Sequence, residues 1–320
     1  MAVLPITHLP TIEAIYKMYR DKSSNFRRPH LGASIIGRSC SRAIWYTLRW
    51  SSDPGFEGRM LRLFESGFRE EGRIITNLRA LGIVVYDRDP SSGEQLHFFE
   101  ESCPMFSGSV DGIAQGFAES KSWHILECKS ASKRQFDLLV KNGLERQKPE
   151  YWAQVQIYMR WAGLDRAYFI SCCKDDDRLY GERVYLDKEF TERLVEKARR
   201  IISSETPPEK ICDDPENFQC KWCEHSEVCH HGQLPLVSCR TCSFITPNVV
   251  DGTWQCGRDN SILGEAKQKA GCDGHIFIPQ LVNLEATDSD PEVGTISYGN
   301  IVNGPGAVLS KDLQKVIDEC

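Results

Sequence analysis

An acid and a base share one face of a short predicted strand, in the stretch WHILECKS at residues 123–130. Because side chains alternate along a strand, Glu127 and Lys129 lie on the same face about 6 to 7 Å apart, whereas Leu126 and Cys128 point the other way. A carboxylate in such a run is costly to bury unless it has a partner or a ligand. The pattern therefore indicates a site for a cation beside a positive charge.

A second carboxylate is expected to join this pair. Asp111 follows the strand-like run SGSV, and a turn over 116–122 returns the chain towards Glu127, so a hairpin brings the two acids together. Mg or Mn takes oxygen ligands from one or two carboxylates, and we expect Asp111, Glu127 and the carbonyl of Cys128 to coordinate it. Lys129 then orients or helps to deprotonate an attacking water and offsets phosphate charge, which is the chemistry of phosphodiester hydrolysis.

A third acid comes from a long amphipathic helix predicted over 58–81. Four apolar residues at helical spacing form its predicted buried stripe, namely Phe64, Phe68, Ile75 and Leu78. Glu71 fills the remaining slot of this stripe, where a carboxylate needs a partner, so we assign it to the site. Glu70 lies off the stripe and is predicted to be a solvated surface residue.

Two more polar residues share a helix predicted over 148–162. Gln154 and Tyr158 are four residues apart, so both can reach one ligand. An ordinary helix surface is the alternative interpretation for the pair alone, and the combination with the acids favours a functional one.

The first group of cysteines lies in FQCKWCEHSEVCHH, which supplies Cys220, Cys223 and Cys229. Fourteen cysteines in a chain expected in a reducing compartment favour metal ligation over disulfides. Three thiolates make an incomplete site, and Cys40, far upstream, would complete the four that a 4Fe-4S cluster takes.

A zinc site is the competing interpretation of the same group. It would use the three downstream cysteines with either His225 or His230, and it would leave Cys40 as a buried apolar residue. Cys212 is a further candidate ligand.

The second group of cysteines is typical of a zinc ribbon. Cys239 and Cys242 form a CxxC pair, Cys256 follows, and all three are predicted Zn ligands. The fourth ligand is Cys272, with His275 as the alternative. A structural zinc site can fold a module that is otherwise too small for a core.

The elements that must position these residues alternate between strand-like and helical runs. The predicted strands cover 83–88, 95–101, 107–116, 123–130, 166–173 and 180–186, and the predicted helices cover 11–22, 39–48, 58–81, 132–141, 148–162 and 188–204. This order indicates an α/β or α+β fold with a central mixed sheet flanked by helices and with C-terminal metal-stapled modules. The predicted units are an N-terminal helical segment (1–30), a core (31–206), a cysteine-cluster segment (207–232), a zinc-ribbon-like module (233–280) and a tail (281–320) with a short helix near 311–317.

The motif order resembles that of a known family. GxxxE ending at Glu71, GSVDG around Asp111, ECK at 127–129 and QxxxY at 154–158 are similar to motifs of the PD-(D/E)xK nuclease superfamily, in its RecB-like phage exonuclease branch. The resemblance spans most of residues 30–205, including RPHLGASIIGRSCSRAIWY. The chain departs from the family where Val110 replaces the proline of the family name, and where Glu71 stands in place of a frequent histidine.

The resemblance implies a restriction-endonuclease-like core and a Mg- or Mn-dependent DNA exonuclease. The resemblance implies that Asp111, Glu127 and Lys129 catalyse hydrolysis. It also implies that Glu71, Gln154 and Tyr158 assist them. One cysteine near the start of the core and three after it are similar to the iron-sulfur members, which implies a 4Fe-4S cluster that links the C-terminal end to the N-terminal helix. A single-strand annealing protein as partner is also implied, and a homo-oligomer stays open. The alternatives are a structure-specific endonuclease and a non-catalytic DNA-binding or scaffold protein on the same fold.

Composition sets outer limits on the function. The net charge of −6 argues against a chain coated with DNA-binding surface, but it says little about a local basic cleft. No stretch reaches the ~20 apolar residues of a membrane span, and the sequence starts without the pattern of a secretion signal. We therefore expect no membrane partner and a cytoplasmic location, in the host cytoplasm if the chain is phage-encoded.

Overall fold

The computed structural model describes residues 9–23, 27–53 and 55–319, so part of the predicted N-terminal segment, 1–8 and 24–26, lies outside the described residues. The helices are α1 (Pro10–Lys22), α2 (Ala33–Ile36), α3 (Ser41–Leu48), α4 (Gly58–Ala80), α5 (Lys133–Asn142), α6 (Leu144–Gln147), α7 (Pro149–Trp161), α8 (Lys188–Ser203), α9 (Phe218–Lys221), α10 (Ser226–His230), α11 (Glu265–Ala270) and α12 (Leu313–Asp318). The strands are β1 (Leu31–Gly32), β2 (Val84–Tyr86), β3 (His97–Glu100), β4 (Cys103–Ser109), β5 (Gly112–Gln115), β6 (Trp123–Ala131), β7 (Arg166–Cys173), β8 (Leu179–Tyr185), β9 (Ile245–Asn248), β10 (Thr253–Cys256), β11 (Asp288–Asp290), β12 (Thr295–Tyr298) and β13 (Ile301–Asn303).

The central sheet has the strand order β2-β5-β6-β7-β8. β6 and β7 are parallel and are joined by the crossover through α5, α6 and α7, whereas the other neighbours are antiparallel. A parallel pair needs such a helical crossover, and its helices cover a face of the sheet. The predicted mixed sheet flanked by helices is confirmed.

The two faces of β6 meet different helices. Leu126 and Cys128 point to one face, where they pack with Ile74 and Ile75 of α4. Ile125 points to the other face and belongs to the main core, which contains α7. Since β6 side chains alternate, Glu127 and Lys129 share the α7 face with Ile125.

A second sheet, with the order β1-β4-β3, adjoins the central one. The predicted run 107–116 is divided between the two sheets, because the chain leaves β4 at Ser109 and enters β5 at Gly112. Asp111 therefore stands at the junction of the sheets. Gly108 of β4 allows α7 to approach closely, since a Cβ there would lie 3.0 Å from the hydroxyl of Tyr158.

The apolar stripe predicted for α4 is buried only in the C-terminal half of the helix, so the prediction is wrong for its N-terminal half. Ile75 and Leu78 are 4% and 9% exposed, whereas Phe64 and Phe68 are 38% and 71% exposed. Apart from Gly58, the buried residues of α4 are all in its C-terminal half. In its N-terminal half the helix packs on α1 through a different face, on which Glu65 accepts a hydrogen bond from Tyr19.

The C-terminal region adds further small sheets. β9 and β10 form a hairpin, and β11, β12 and β13 form an antiparallel sheet. The short helix predicted in the tail is confirmed as α12, but the three-stranded sheet was not predicted. Ile245 and Trp254 of the hairpin belong to the same core cluster as Trp45. Within the described residues no helix is long and apolar enough to cross a membrane.

Candidate active site

β6 delivers Glu127 to a fully buried position. Its Oε1 accepts a short hydrogen bond from Lys129 Nζ, and its Oε2 is buried without a hydrogen-bond partner. Burial raises the pKa of Glu127 to about 8, and the negative charge of Asp111 adds to that rise. An orphaned carboxylate oxygen of this kind is costly, and a bound cation would satisfy it.

Asp111 reaches β6 where the ladder between β5 and β6 stops. The last pair joins Gly112 to Leu126, so the next backbone N–H on this edge, that of Cys128, has no strand partner. Asp111 Oδ2 accepts this N–H at 2.7 Å. The carbonyl of Cys128 faces the same edge, since both polar groups of one residue point the same way in a strand. Its side chain points to the apolar face, where burial raises the pKa of the thiol well above its ordinary value.

Lys129 sits between Glu127 and an aromatic ring. Its Nζ lies 5.3 Å from the ring centroid of Tyr151, within cation–π distance. Burial by itself lowers the pKa of Lys129, but the charges of Glu127 and Asp111 outweigh burial and raise that pKa above its ordinary value. The charged form of Lys129 is therefore favoured in this site.

Tyr151 is a site residue that the sequence analysis missed. It lies three residues before Gln154 and seven before Tyr158, which places all three on one face of α7. That spacing was the available signal. Gln154 Nε2 donates to the hydroxyl of Tyr158 at 3.2 Å, and burial, together with Glu127, raises the pKa of Tyr158. Gln154 and Tyr158 are thus brought next to the acids, as expected.

Glu71 approaches from α4, across the sheet from α7. It is half-buried, and burial raises its pKa to about 7, with Asp111 as the next contributor. Glu70 forms an ion pair with Arg73 at 2.9 Å instead, and its side chain is only 16% exposed rather than solvated. In the part of the chain that the structure describes, no three acidic, thiol or imidazole side chains already form a closed metal cage.

The first cysteine group lines a cavity of about 620 Å³. The thiols on its wall are those of Cys40, Cys212, Cys220, Cys223 and Cys229. Cys40 is positioned by α3, because it caps the helix and its Sγ accepts the N–H of Ala43 at 3.4 Å. The cavity is open to solvent and extends well beyond the thiols, so it has room for a polynuclear group as well as for a single ion.

Both ring nitrogens of His225 lie within hydrogen-bond distance of hydroxyl groups. His225 is 3% exposed, its Nε2 lies 2.9 Å from Thr47 Oγ1, and its Nδ1 lies 3.0 Å from Ser52 Oγ. In this structure both ring nitrogens of His225 therefore meet hydroxyl groups, although the side chain lies at the wall of the same cavity as the thiols. His230 ends α10 at the wall of the same cavity.

The second cysteine group surrounds a much smaller cavity of about 20 Å³. Its wall includes Cys239, Cys242, Cys256, Cys272 and His275. Burial, followed by the charges of the other three thiols, raises the pKa of Cys239 to about 11. The volume is close to that of one water molecule or ion. His275 Nε2 lies 3.2 Å from Thr241 Oγ1, whereas Cys272 is exposed.

Comparison with solved structures finds weak similarity to exonucleases. An alkaline exonuclease from Laribacter hongkongensis is 16% identical with a TM-score of 0.40, and the match covers 58% of this chain and 90% of that one. Its complex with dAMP is 15% identical with a TM-score of 0.39, over 59% and 90% of the two chains. A phage-related exonuclease from Haemophilus somnus 129PT is 15% identical with a TM-score of 0.30, over 41% and 65%. No protein-family model matches the chain, and no curated protein matches its sequence.

Proposed function

We propose that this protein is a metal-dependent deoxyribonuclease that hydrolyses phosphodiester bonds at DNA ends. One observation carries the proposal: a fully buried carboxylate, Glu127, shares one oxygen with Lys129 and leaves the other without a partner, beside a second carboxylate, Asp111. A purely structural ion pair gains nothing from a second acid and an orphaned oxygen in the same place. A cation with an anionic ligand uses all of these groups.

Each residue has a role in this proposal. Glu127 Oε2, Asp111 and the Cys128 carbonyl would hold Mg or Mn. The metal, when bound, polarises a phosphate oxygen and lowers the pKa of water. Lys129 stays protonated, so it contributes charge to the phosphate and orients the attacking water rather than acting as the base. With a pKa of about 7, Glu71 is suited to accept a proton near neutral pH.

The α7 residues complete the proposed pocket. Tyr151 holds Lys129 in place through its ring, and Gln154 orients the hydroxyl of Tyr158. The two polar groups at 154 and 158 are buried beside the acids, where they can donate to a phosphate oxygen.

The cysteine groups are proposed to hold different cofactors. A 4Fe-4S cluster suits the larger cavity with Cys40, Cys220, Cys223 and Cys229, because a polynuclear group fills more of its volume. A single Zn suits the smaller cavity with Cys239, Cys242, Cys256 and Cys272. Both cofactors would be structural. The proposal also includes a single-strand annealing protein as a partner of this chain.

The test is digestion of end-labelled linear DNA and closed circular DNA, each single- and double-stranded, with Mg or Mn. Wild type is compared with Lys129→Ala. We expect loss of label from linear DNA, intact circles and an inactive variant. If the wild type cuts circular DNA, the assignment changes from an exonuclease to an endonuclease. DNA binding with no cutting of any substrate would replace the enzyme by a DNA-binding or scaffold protein.

A further inference from the structure

The N-terminal half of α4, together with the residues just before it, leaves an aromatic surface exposed. This surface, here called the aromatic ledge, consists of Phe56, Phe64 and Phe68. Phe56 and Phe64 meet edge to face with ring centroids 5.0 Å apart, and they are 42% and 38% exposed. Phe68 is 71% exposed, more than either of them. Adjacent exposed apolar residues of this kind mark an interaction surface.

The ledge is continuous with the acids of the site. Phe64, Phe68 and Glu71 are spaced by four and three residues, so they lie on one face of α4. At 1.5 Å per residue, Phe68 is about 4.5 Å and Phe64 about 10.5 Å along the helix axis from Glu71. Phe68 is therefore about one helical turn from Glu71, on the face that the two residues share.

The charge around the ledge suits a nucleic acid. Helix α1 and residues 58–69 together carry six basic and three acidic residues, in a chain whose net charge is −6. Arg62 lies with its guanidinium 5.8 Å from the ring centroid of Tyr19. Aromatic rings for stacking and basic residues for the backbone are the combination that binds single strands.

We infer that Phe68 stacks on an unpaired nucleobase next to the phosphate being cut, so that the site prefers single-stranded or frayed ends over blunt duplex. The inference rests on the proposed function for its substrate. It goes beyond that function by assigning a residue that determines strand preference.

The test measures binding rather than cutting, so its result is independent of hydrolysis. Fluorescence anisotropy measures the binding of short single-stranded DNAs in the presence of a chelator. Each DNA in the series lacks one base, at a different nucleotide near the end of the strand. We expect wild type to bind the intact strand about 5- to 150-fold more tightly than the strand whose missing base faces Phe68, the loss expected for one base–aromatic stack. Phe68→Ala should remove that discrimination, and Phe68→Trp should restore it.

The control is Phe99→Ala, which removes a similarly exposed ring (51%) from β3 of the other sheet. It should bind every strand as wild type does. The inference is overturned if Phe68→Ala keeps the wild-type ratio between intact and abasic strands at every position. Loss of cutting in the digestion assay, with this ratio still dependent on Phe68, would instead remove the proposed catalysis and leave a strand-binding site.

Discussion

The carboxylate of Asp111 accepts the backbone N–H of Cys128 at 2.7 Å, across the point where β5 and β6 stop pairing. This hydrogen bond fixes one oxygen of Asp111 against the strand that carries Glu127 and Lys129. The three groups are therefore positioned by backbone rather than by mobile loops. Preorganisation of this kind is what a site needs if its charges are to act without rearrangement.

Asp111 accepts the Cys128 N–H and is proposed to bind the metal, and its replacement should separate these two roles. Asp111→Asn keeps an oxygen acceptor for the Cys128 N–H but removes the charge, so folding should be retained. Nuclease activity should fall by more than the ~10- to 100-fold that loss of an outer-shell partner costs. Asp111→Ala should in addition lower the melting temperature, because the buried N–H loses its acceptor. Residual activity of Asp111→Asn close to wild type would argue against a role in metal binding.

Lys129 is expected to act through its charge. Lys129→Met keeps most of the aliphatic stem over Tyr151 but removes the ammonium group, and kcat should fall by ~10²- to 10³-fold. The melting temperature should also fall, because the buried Glu127 loses its hydrogen-bond donor. Tyr151→Leu is the companion variant. It leaves the charge but removes the ring that holds Lys129, so a smaller loss of kcat is expected. A larger loss of kcat for Tyr151→Leu than for Lys129→Met would contradict the electrostatic role of Lys129.

Much of this site was predictable because it depends on local periodicity. The alternation of side chains in β6 put Glu127 and Lys129 on one face, and a hairpin was enough to bring Asp111 to them. The i and i+4 spacing of Gln154 and Tyr158 was equally local. Tyr151 obeys the same rule, although the sequence analysis did not single it out.

Other features depended on contacts that the sequence does not encode locally. Periodicity identifies the face of α4 that carries Phe68, but not how far the sheet extends beneath it. His225 lies among cysteines in sequence, yet its ring nitrogens meet Thr47 and Ser52, more than 170 residues away. Strands β11 to β13 have three or four residues each, too few for an alternating pattern to be recognised.

The stability of the metal-free protein should decrease as pH rises from about 5 to about 8. Glu127 has a pKa of about 8 when folded, against ~4.3 in an unfolded chain. Between these values the folded protein holds a proton that the unfolded chain has released, so raising the pH favours unfolding. Added Mg or Mn should raise the melting temperature more at pH 8 than at pH 5.5, because the metal replaces the proton.

Glu127→Gln is the control for this pH dependence. It removes the titrating group, so its melting temperature with chelator should vary less with pH than that of wild type. Thermal unfolding at several pH values, with chelator and with metal, measures both effects. Equal pH dependence in wild type and Glu127→Gln would mean that other groups control stability in this range.

The two cysteine groups should lose their metals independently. Cys220→Ser should abolish the iron content and visible absorbance of anaerobically purified protein, while zinc content stays unchanged. Cys242→Ser should do the opposite. Elemental analysis beside absorbance spectra measures both. Zinc in place of iron in the wild-type protein, lost on Cys220→Ser, would replace the iron-sulfur assignment by a mononuclear site.

The junction between the C-terminal hairpin and the rest of the chain should depend on Arg240. This buried guanidinium lies 3.7 Å from the ring centroid of Trp50 and 4.8 Å from that of Trp254. It donates to the carbonyls of Leu48 and Pro29 at 2.8 and 2.7 Å. Arg240→Met should therefore lower the free energy of unfolding by about 3 kcal/mol or more, since it leaves buried carbonyls without donors.

Arg193→Met is the matched control for this last prediction. Arg193 also lies over an aromatic ring, 5.7 Å from the centroid of Phe190, but it is exposed on α8. Loss of an exposed cation–π contact costs ~0.5 to 1 kcal/mol. The losses in the free energy of unfolding, measured by chemical denaturation, should therefore differ by at least ~2 kcal/mol between the two variants. Only Arg240 is a buried donor whose removal leaves carbonyl groups without a hydrogen bond. Equal effects would mean that the ring contacts, rather than the buried hydrogen bonds, supply the stability of this junction.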